Sequence, residues 1–265
     1  MQKNIDQSIK PIGVFDSGIG GTSIWKEIHA LLPLENSIYL ADSKNAPYGQ
    51  RPKAKIIELS KKNTEILLDH GSKLIVVACN TATTNAIQHL RATFSVPFIG
   101  IEPAIKPASL NSKTGAVGIL ATRGTLSSEL FLHTSSLYSK GIQVIEQEGN
   151  GIVELIEAGK VKSKKMKTIL QQYLHPMLKE EIDYLVLGCS HYPYLIPILK
   201  ELLPKSVKII DSGRAVAKQT KAVLKKNNLL NSVFANPKHT FYTNGSKPLL
   251  EQFIGKNHQI IAKNF

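Results

Sequence analysis

Four short stretches of this chain are apolar with no polar alternation: Ile12–Phe15, Leu74–Ala78, Ala116–Leu120 and Leu185–Leu187. Runs of this kind, bounded by turn-forming or polar residues, read as strands covered on both faces, the condition found in parallel sheets. Further strands are predicted at Ser37–Ala41, Pro97–Ile101 and around His239–Thr243. Between them the apolar positions recur with helical spacing. Helices are predicted through Trp25–Leu32, stopped by Pro33, and from about Lys53 to Asp69, ended by Gly71. Others are predicted over Thr83–Thr93, Leu126–Tyr138 and Ala215–Lys226, with Ala121–Thr125 as a glycine-containing turn. Strands and helices alternate, which defines an α/β fold.

The alternation starts twice. Ile12 and Ala116 open similar strands followed by glycine-containing turns, while Cys79 and Cys189 close similar apolar strands at nearly the same offset. Two pseudosymmetric lobes follow from this, each a mostly parallel sheet flanked by helices. Lobe one is expected to comprise residues 1–104 and 212–265 and to carry Cys79. Lobe two is expected at residues 105–211 and carries Cys189. The tail after Asp211 is too short for a domain of its own, so its docking on lobe one is the economical arrangement. The active site is expected in the cleft between the lobes.

Cys79 and Cys189 are the only two cysteines, and each stands at the carboxyl end of a predicted strand, where open α/β sheets bind ligands. Any single cysteine on an apolar strand is commonly an inert packing residue. A thiol that occurs twice in equivalent places points instead to one cleft with a sulfur on each wall. Neither cysteine has a Cys-x-x-Cys partner, so no metal is expected. The polar Met1–Lys10 segment and the short run Ile12–Phe15 do not read as a secretory leader, which favours reduced thiols and a cytoplasmic location.

The loop Asp16-Ser17-Gly18-Ile19-Gly20-Gly21 follows a strand and opens a helix, so its backbone N–H groups suit a carboxylate or phosphate. No Gly-Lys-Ser/Thr follows, and the third spaced glycine of a dinucleotide fingerprint is missing, which argues against a nucleotide cofactor. Asp16 is placed to receive an ammonium group.

Composition changes this picture little. No apolar run approaches the roughly 20 residues of a membrane span. The 33 basic and 20 acidic residues give a formal charge of +13, compatible with nucleic acid, an anionic membrane surface or small anionic substrates. The densest cluster, Lys160, Lys162, Lys164, Lys165 and Lys167, is predicted on a helix without interleaved aromatic residues. It reads as a solvated face rather than a nucleic-acid surface.

Five motifs carry a resemblance. Phe15–Gly21, Pro47-Tyr48-Gly49 with Arg51, Ala78–Ala82, Leu187–Pro193 and Ile210–Gly213 occur in the order and spacing of the cofactor-independent Asp/Glu racemase family, as in its glutamate-specific members. The match spans almost the whole chain. It implies an isomerase that interconverts L- and D-glutamate by proton transfer between two thiols, without a cofactor, supplying D-glutamate for peptidoglycan.

By position, the resemblance makes Cys79 and Cys189 the catalytic bases, with Cys189 taking the proton from L-glutamate. It makes Asp16, Ser17, Tyr48, Gly49, Asn80, Thr81, Ser190 and His191 substrate-binding or supporting residues. Thr125 is a further hydroxyl for carboxylate binding. Where the family usually has threonine, Ser190 keeps the hydroxyl and loses a methyl. The segment Glu148-Gly149-Asn150-Gly151 resembles a proteobacterial subgroup, for which UDP-N-acetylmuramoyl-L-alanine is an activator. A supporting glutamate is expected there as Glu154 or Glu157. A homodimer is implied by resemblance alone. Two other readings stay open: an aspartate racemase, and a basic ligand-binding or nucleic-acid-binding module without catalysis.

Overall fold

The computed structural model of the chain describes residues 7–138, 140–233 and 236–265, so the first six residues of the polar Met1–Lys10 segment lie outside the described residues. Among the described residues, ten strands form two sheets. β1 (Ile12–Asp16), β2 (Ser37–Ala41), β3 (Leu74–Val77) and β4 (Phe98–Gly100) belong to the first, and β5 (Ala116–Ala121), β6 (Gln143–Glu148), β7 (Tyr184–Gly188) and β8 (Lys208–Ile210) make the second. β9 (His239–Thr243) and β10 (Gln259–Ala262) join the first sheet through β2, giving the order β10-β9-β2-β1-β3-β4 beside β6-β5-β7-β8. Every pairing is parallel. The order β2-β1-β3-β4 is therefore repeated as β6-β5-β7-β8, the structural form of the duplication seen in the sequence.

The continuous apolar runs became the central strands because both of their faces are covered. β1, β3, β5 and β7 are buried at every position. Alternate side chains of one strand enter different cores: Val14 and Val76 face a large cluster with Leu185 and Leu187, whereas Phe15, Ile75 and Val77 pack with Leu67 and Ile87 behind the first sheet. Each such buried aliphatic side chain contributes about 1.5–3 kcal/mol by leaving water.

Several boundaries differ from the sequence reading for local reasons. The helix expected from Thr83 starts at Asn80, with Cys79 as its N-cap. The helix expected over Leu126–Tyr138 is divided into Arg123–Leu126 and Glu129–Tyr138. At the division the Ser128 hydroxyl accepts the N–H of Phe131 at 3.3 Å and caps the second piece. Lys160 and Lys162 precede the helix Lys164–Lys179 rather than lying on it, and Ser163 caps that helix by accepting from Met166 at 3.2 Å. Among the described residues no helix is long and apolar enough to cross a membrane.

Candidate active site

The parallel strands deliver their carboxyl ends to one cleft. β1 ends in Asp16 and leads into the loop Ser17–Gly21, β3 leads through Ala78 to Cys79, β5 leads to Thr122, and β7 leads to Cys189-Ser190-His191. Both cysteines are free and buried. They line one small cavity together with Ser17, Tyr48, Gly49, Asn80, Thr81, Ser190 and His191. Its free volume of about 10 Å³ leaves room for roughly one water.

Close packing against the glycine loop sets the position of His191. A Cβ on Gly18 would stand 1.9 Å from Oε1 of Glu157, and one on Gly20 would stand 2.2 Å from Nδ1 of His191, so only hydrogen fits at either place. Glu157 Oε1 lies 2.6 Å from His191 Nε2 and accepts the backbone N–H of Ile19 at 2.7 Å. The Gly20 N–H also points at His191 Nε2, at 3.3 Å. One nitrogen cannot donate to the carboxylate and accept from Gly20 together. The shorter, charge-assisted contact assigns the proton on Nε2 to the Glu157 bond. Nδ1 of the same ring lies 3.8 Å from Cys189 Sγ and 3.5 Å from the Ser190 hydroxyl.

Burial alone disfavours a charged His191, but its bonds to Cys189 and Glu157 and the nearby Asp16 outweigh that and hold the imidazole well above its usual pKa. The second thiol has a different environment. Cys79 Sγ accepts the Ala82 N–H at 3.4 Å in the first turn of its helix and lies 3.6 Å from the Ser17 hydroxyl oxygen. Burial, reinforced by Asp16, pushes this thiol well above the usual range, against the pull of Ala82 and Ser17.

Asp16 does not line the cavity. It lies behind the wall with no exposure, accepting from the Gly18 N–H at 2.9 Å and from the Ser190 hydroxyl at 2.8 Å. Its pKa is raised by burial, with His191, Ser190 and Gly18 acting the other way. Tyr48 reaches the cavity, yet its hydroxyl turns away to donate to Asp42 at 2.5 Å and accept from Asn63 at 3.0 Å. Asn80 is 2% exposed, and neither its amide oxygen nor its amide nitrogen has a partner among the described residues. A buried primary amide left unbonded is costly, and a ligand in the adjoining cavity would satisfy it.

The two candidates for the supporting glutamate separate clearly. Glu157 touches His191 and the glycine loop, whereas Glu154 accepts from Gln50 at 2.7 Å near the surface. Thr125 enters a hydroxyl cluster with Thr81 at 3.3 Å and Thr122 at 3.1 Å, and Thr81 and Thr122 are 2.8 Å apart. Pro47, Thr122 and Val153 are wall residues that the sequence reading missed. The duplication held the signal for Thr122, which follows β5 as Ser17 follows β1.

The fold and site thus define an α/β protein of two like halves with a thiol from each meeting in one closed cleft. The Asp/Glu/Hydantoin racemase family matches residues 20–220, and the chain belongs to that family. A glutamate racemase of Herpetosiphon aurantiacus is 47% identical over 222 residues, covering 84% of this chain and 87% of the relative. A glutamate racemase isoform from Bacillus anthracis has the same fold at a TM-score of 0.87 and 31% identity, with 96% of this chain and 97% of that one covered. Escherichia coli glutamate racemase, solved with L-glutamate and the activator UDP-MurNAc-Ala, gives 0.84 at 31% identity, covering 96% and 98%.

Proposed function

We propose that the protein is a glutamate racemase working by two-thiol proton transfer, and that it supplies D-glutamate for peptidoglycan in the cytoplasm. The observation that carries this reading is the convergence of Cys79 and Cys189 on one cavity beside the unbonded amide of Asn80. The relatives' named activity supports glutamate as the substrate.

For L-glutamate, Cys189 enters as thiolate and Cys79 as thiol. Protonated His191, held by Glu157, stabilises the Cys189 thiolate at Nδ1. Cys189 takes the α-proton: the C–H bond breaks, an S–H bond forms, and the electron pair stays on the α-carbon. Cys79 then gives its proton to the opposite face and becomes a thiolate, which the Ala82 N–H and a reoriented Ser17 hydroxyl hold. The reverse reaction exchanges the roles. Without an electron-sink cofactor, the carbanion depends on fixed dipoles in a water-excluded site. Asn80, Thr81, Thr122 and Ser17 supply neutral hydrogen-bonding groups for the substrate carboxylates, while Asp16, behind Ser190, orders the wall and favours the substrate ammonium.

A cavity with space for one water admits glutamate only when the cleft widens. We assign this motion to residues 1–104 with 212–265 moving against residues 105–211. Activation by UDP-N-acetylmuramoyl-L-alanine is part of the proposal, supported by Glu148-Gly149-Asn150-Gly151 and by the activator bound to the E. coli relative. Circular dichroism of L-glutamate and L-aspartate, each incubated with purified enzyme, tests the substrate. The glutamate signal decays to zero and the aspartate signal persists; inert glutamate with decaying aspartate would reverse the assignment.

A further inference from the structure

The thiol cavity opens outward in series. It shares Pro47, Gly49, Thr122 and Val153 with a narrow neck, and the neck shares Gly49, Gln50, Arg123, Glu148 and Asn150 with an outer groove of about 530 Å³. The inner cavity has no lysine or arginine in its lining, although its substrate carries two carboxylates. The one cationic group there, His191, is bound to Glu157, and arginine first appears at the neck. Arg123 follows cavity-lining Thr122 directly in the chain and lines both neck and groove.

The other cations of the groove are already engaged. Lys53 lies 3.4 Å from Glu129, and Arg51 donates to the carbonyl of Asn45 at 2.6 Å. Arg123 is exposed and forms no ion pair among the described residues, and neither does Glu148 at the same neck. We propose that Arg123 is the capture residue for the substrate's carboxylates, binding the incoming dicarboxylate at the neck before it passes to the thiols, with Glu148 as an opposing charge that weakens capture.

This inference rests on the glutamate reading above. Guanidinium binds carboxylate through two parallel N–H donors, and a cation at a cleft mouth speeds the arrival of an anionic substrate. An arginine or lysine bound to the substrate carboxylates throughout the reaction would hold ground state and transition state alike, lowering KM without raising kcat. At the neck it aids entry and is left behind before the chemistry.

The test is kcat/KM and kcat for wild type, R123Q, R123K and E148Q across ionic strength, with both glutamate enantiomers. R123Q lowers kcat/KM on the order of fivefold to tenfold at low salt while kcat moves less than about twofold. The deficit shrinks near ~0.5 M salt, where charges are screened within a few ångströms. R123K recovers most of the loss, and E148Q raises kcat/KM. A residue that merely shaped the neck would lower activity in both neutral variants and keep its effect in salt. An unmoved R123Q, a salt-independent loss, or E148Q falling with R123Q overturns the capture role. Wild-type enzyme in the same assay separates the two claims: no turnover of glutamate refutes the racemase reading itself.

Discussion

Oε1 of Glu157 lies 2.6 Å from Nε2 of His191 and 2.7 Å from the backbone nitrogen of Ile19, so one carboxylate oxygen ties the imidazole beside Cys189 to the loop after β1. This contact spans elements that are far apart in the chain. It also sets the charge of His191, whose pKa is raised by its partners against the cost of burial.

Replacing this carboxylate with the neutral amide in E157Q is expected to cut kcat/KM by about 10- to 100-fold, the size of effect expected of a partner that orients a proton-transfer group. Because L- and D-glutamate are equally stable in achiral solvent, the loss is equal in both directions. The stability effect has a definite sign. A histidine raised in the folded state adds stability that is complete below its unfolded value near ~6.5 and disappears as pH climbs through the folded value. Thermal melts of wild type and E157Q are therefore furthest apart at pH ~6 and converge in alkali; a gap that widens with pH contradicts the charged His191–Glu157 pair.

The loop glycines give a contrast between packing and backbone freedom. G20A drives a methyl group against Nδ1 of a ring that Glu157 prevents from yielding, and a displacement near ~1 Å is expected to cost about 100-fold in kcat/KM. Gly255, at φ +90° with open space around its missing Cβ, responds oppositely: G255A loses about 1 kcal/mol of stability and no activity. Denaturant titration beside steady-state kinetics separates the two, and a fully active G20A would show that the ring is not fixed as described.

Tyr48 provides a third test. Its hydroxyl is bonded to Asp42 and Asn63, away from the cavity, so Y48F strands two buried polar groups. The expected cost is about 1–3 kcal/mol of stability, with KM for glutamate changed less than about threefold. A large KM increase without destabilisation would place the hydroxyl on the substrate instead.

On β9, next to the edge strand of the first sheet, His239 lies in a ring cluster with Trp25, His29, Phe241 and His258, and its Nδ1 meets the Ser37 hydroxyl at 2.8 Å. Burial, His29 and His258 lower its pKa to about 4. A histidine depressed in the folded state removes stability as pH falls from its unfolded value near ~6.5 toward that level, because the unfolded chain binds the proton first. The ring is only partly buried, so screening limits the effect to the order of 1 kcal/mol, or about 2–4 °C in Tm. Melts between pH 7 and 4 should show this acid loss in wild type and a flatter profile in H239Q; parallel profiles would remove His239 as the source.

The parts of this site that were legible in the sequence lie at the ends of central strands. Ile75–Val77 and Leu185–Leu187 are apolar because they are covered on both faces, and that pattern located both cysteines. β6 gave no such signal: as an edge strand with half-exposed positions it carries Gln143, Glu146 and Glu148. β10 was missed for a related reason, since only Ile260 among its four residues is buried. The choice between Glu154 and Glu157 was undecided because both lie on the helix Ile152–Glu157, and only the position of that helix beside the glycine loop separates them. Val153 reaches the cavity from the same helix, so no local pattern announced it.

The most direct test of two opposed bases is isotope placement at low conversion. L-Glutamate is incubated with the enzyme in deuterium oxide, stopped early, and both enantiomers are separated for mass spectrometry. Delivery by a second thiol from the opposite face puts α-deuterium into nearly all of the D-glutamate formed and leaves the recovered L-glutamate largely protonated. Equal deuterium in the two enantiomers, or none in the product, would contradict a mechanism in which Cys189 removes the proton and Cys79 returns another.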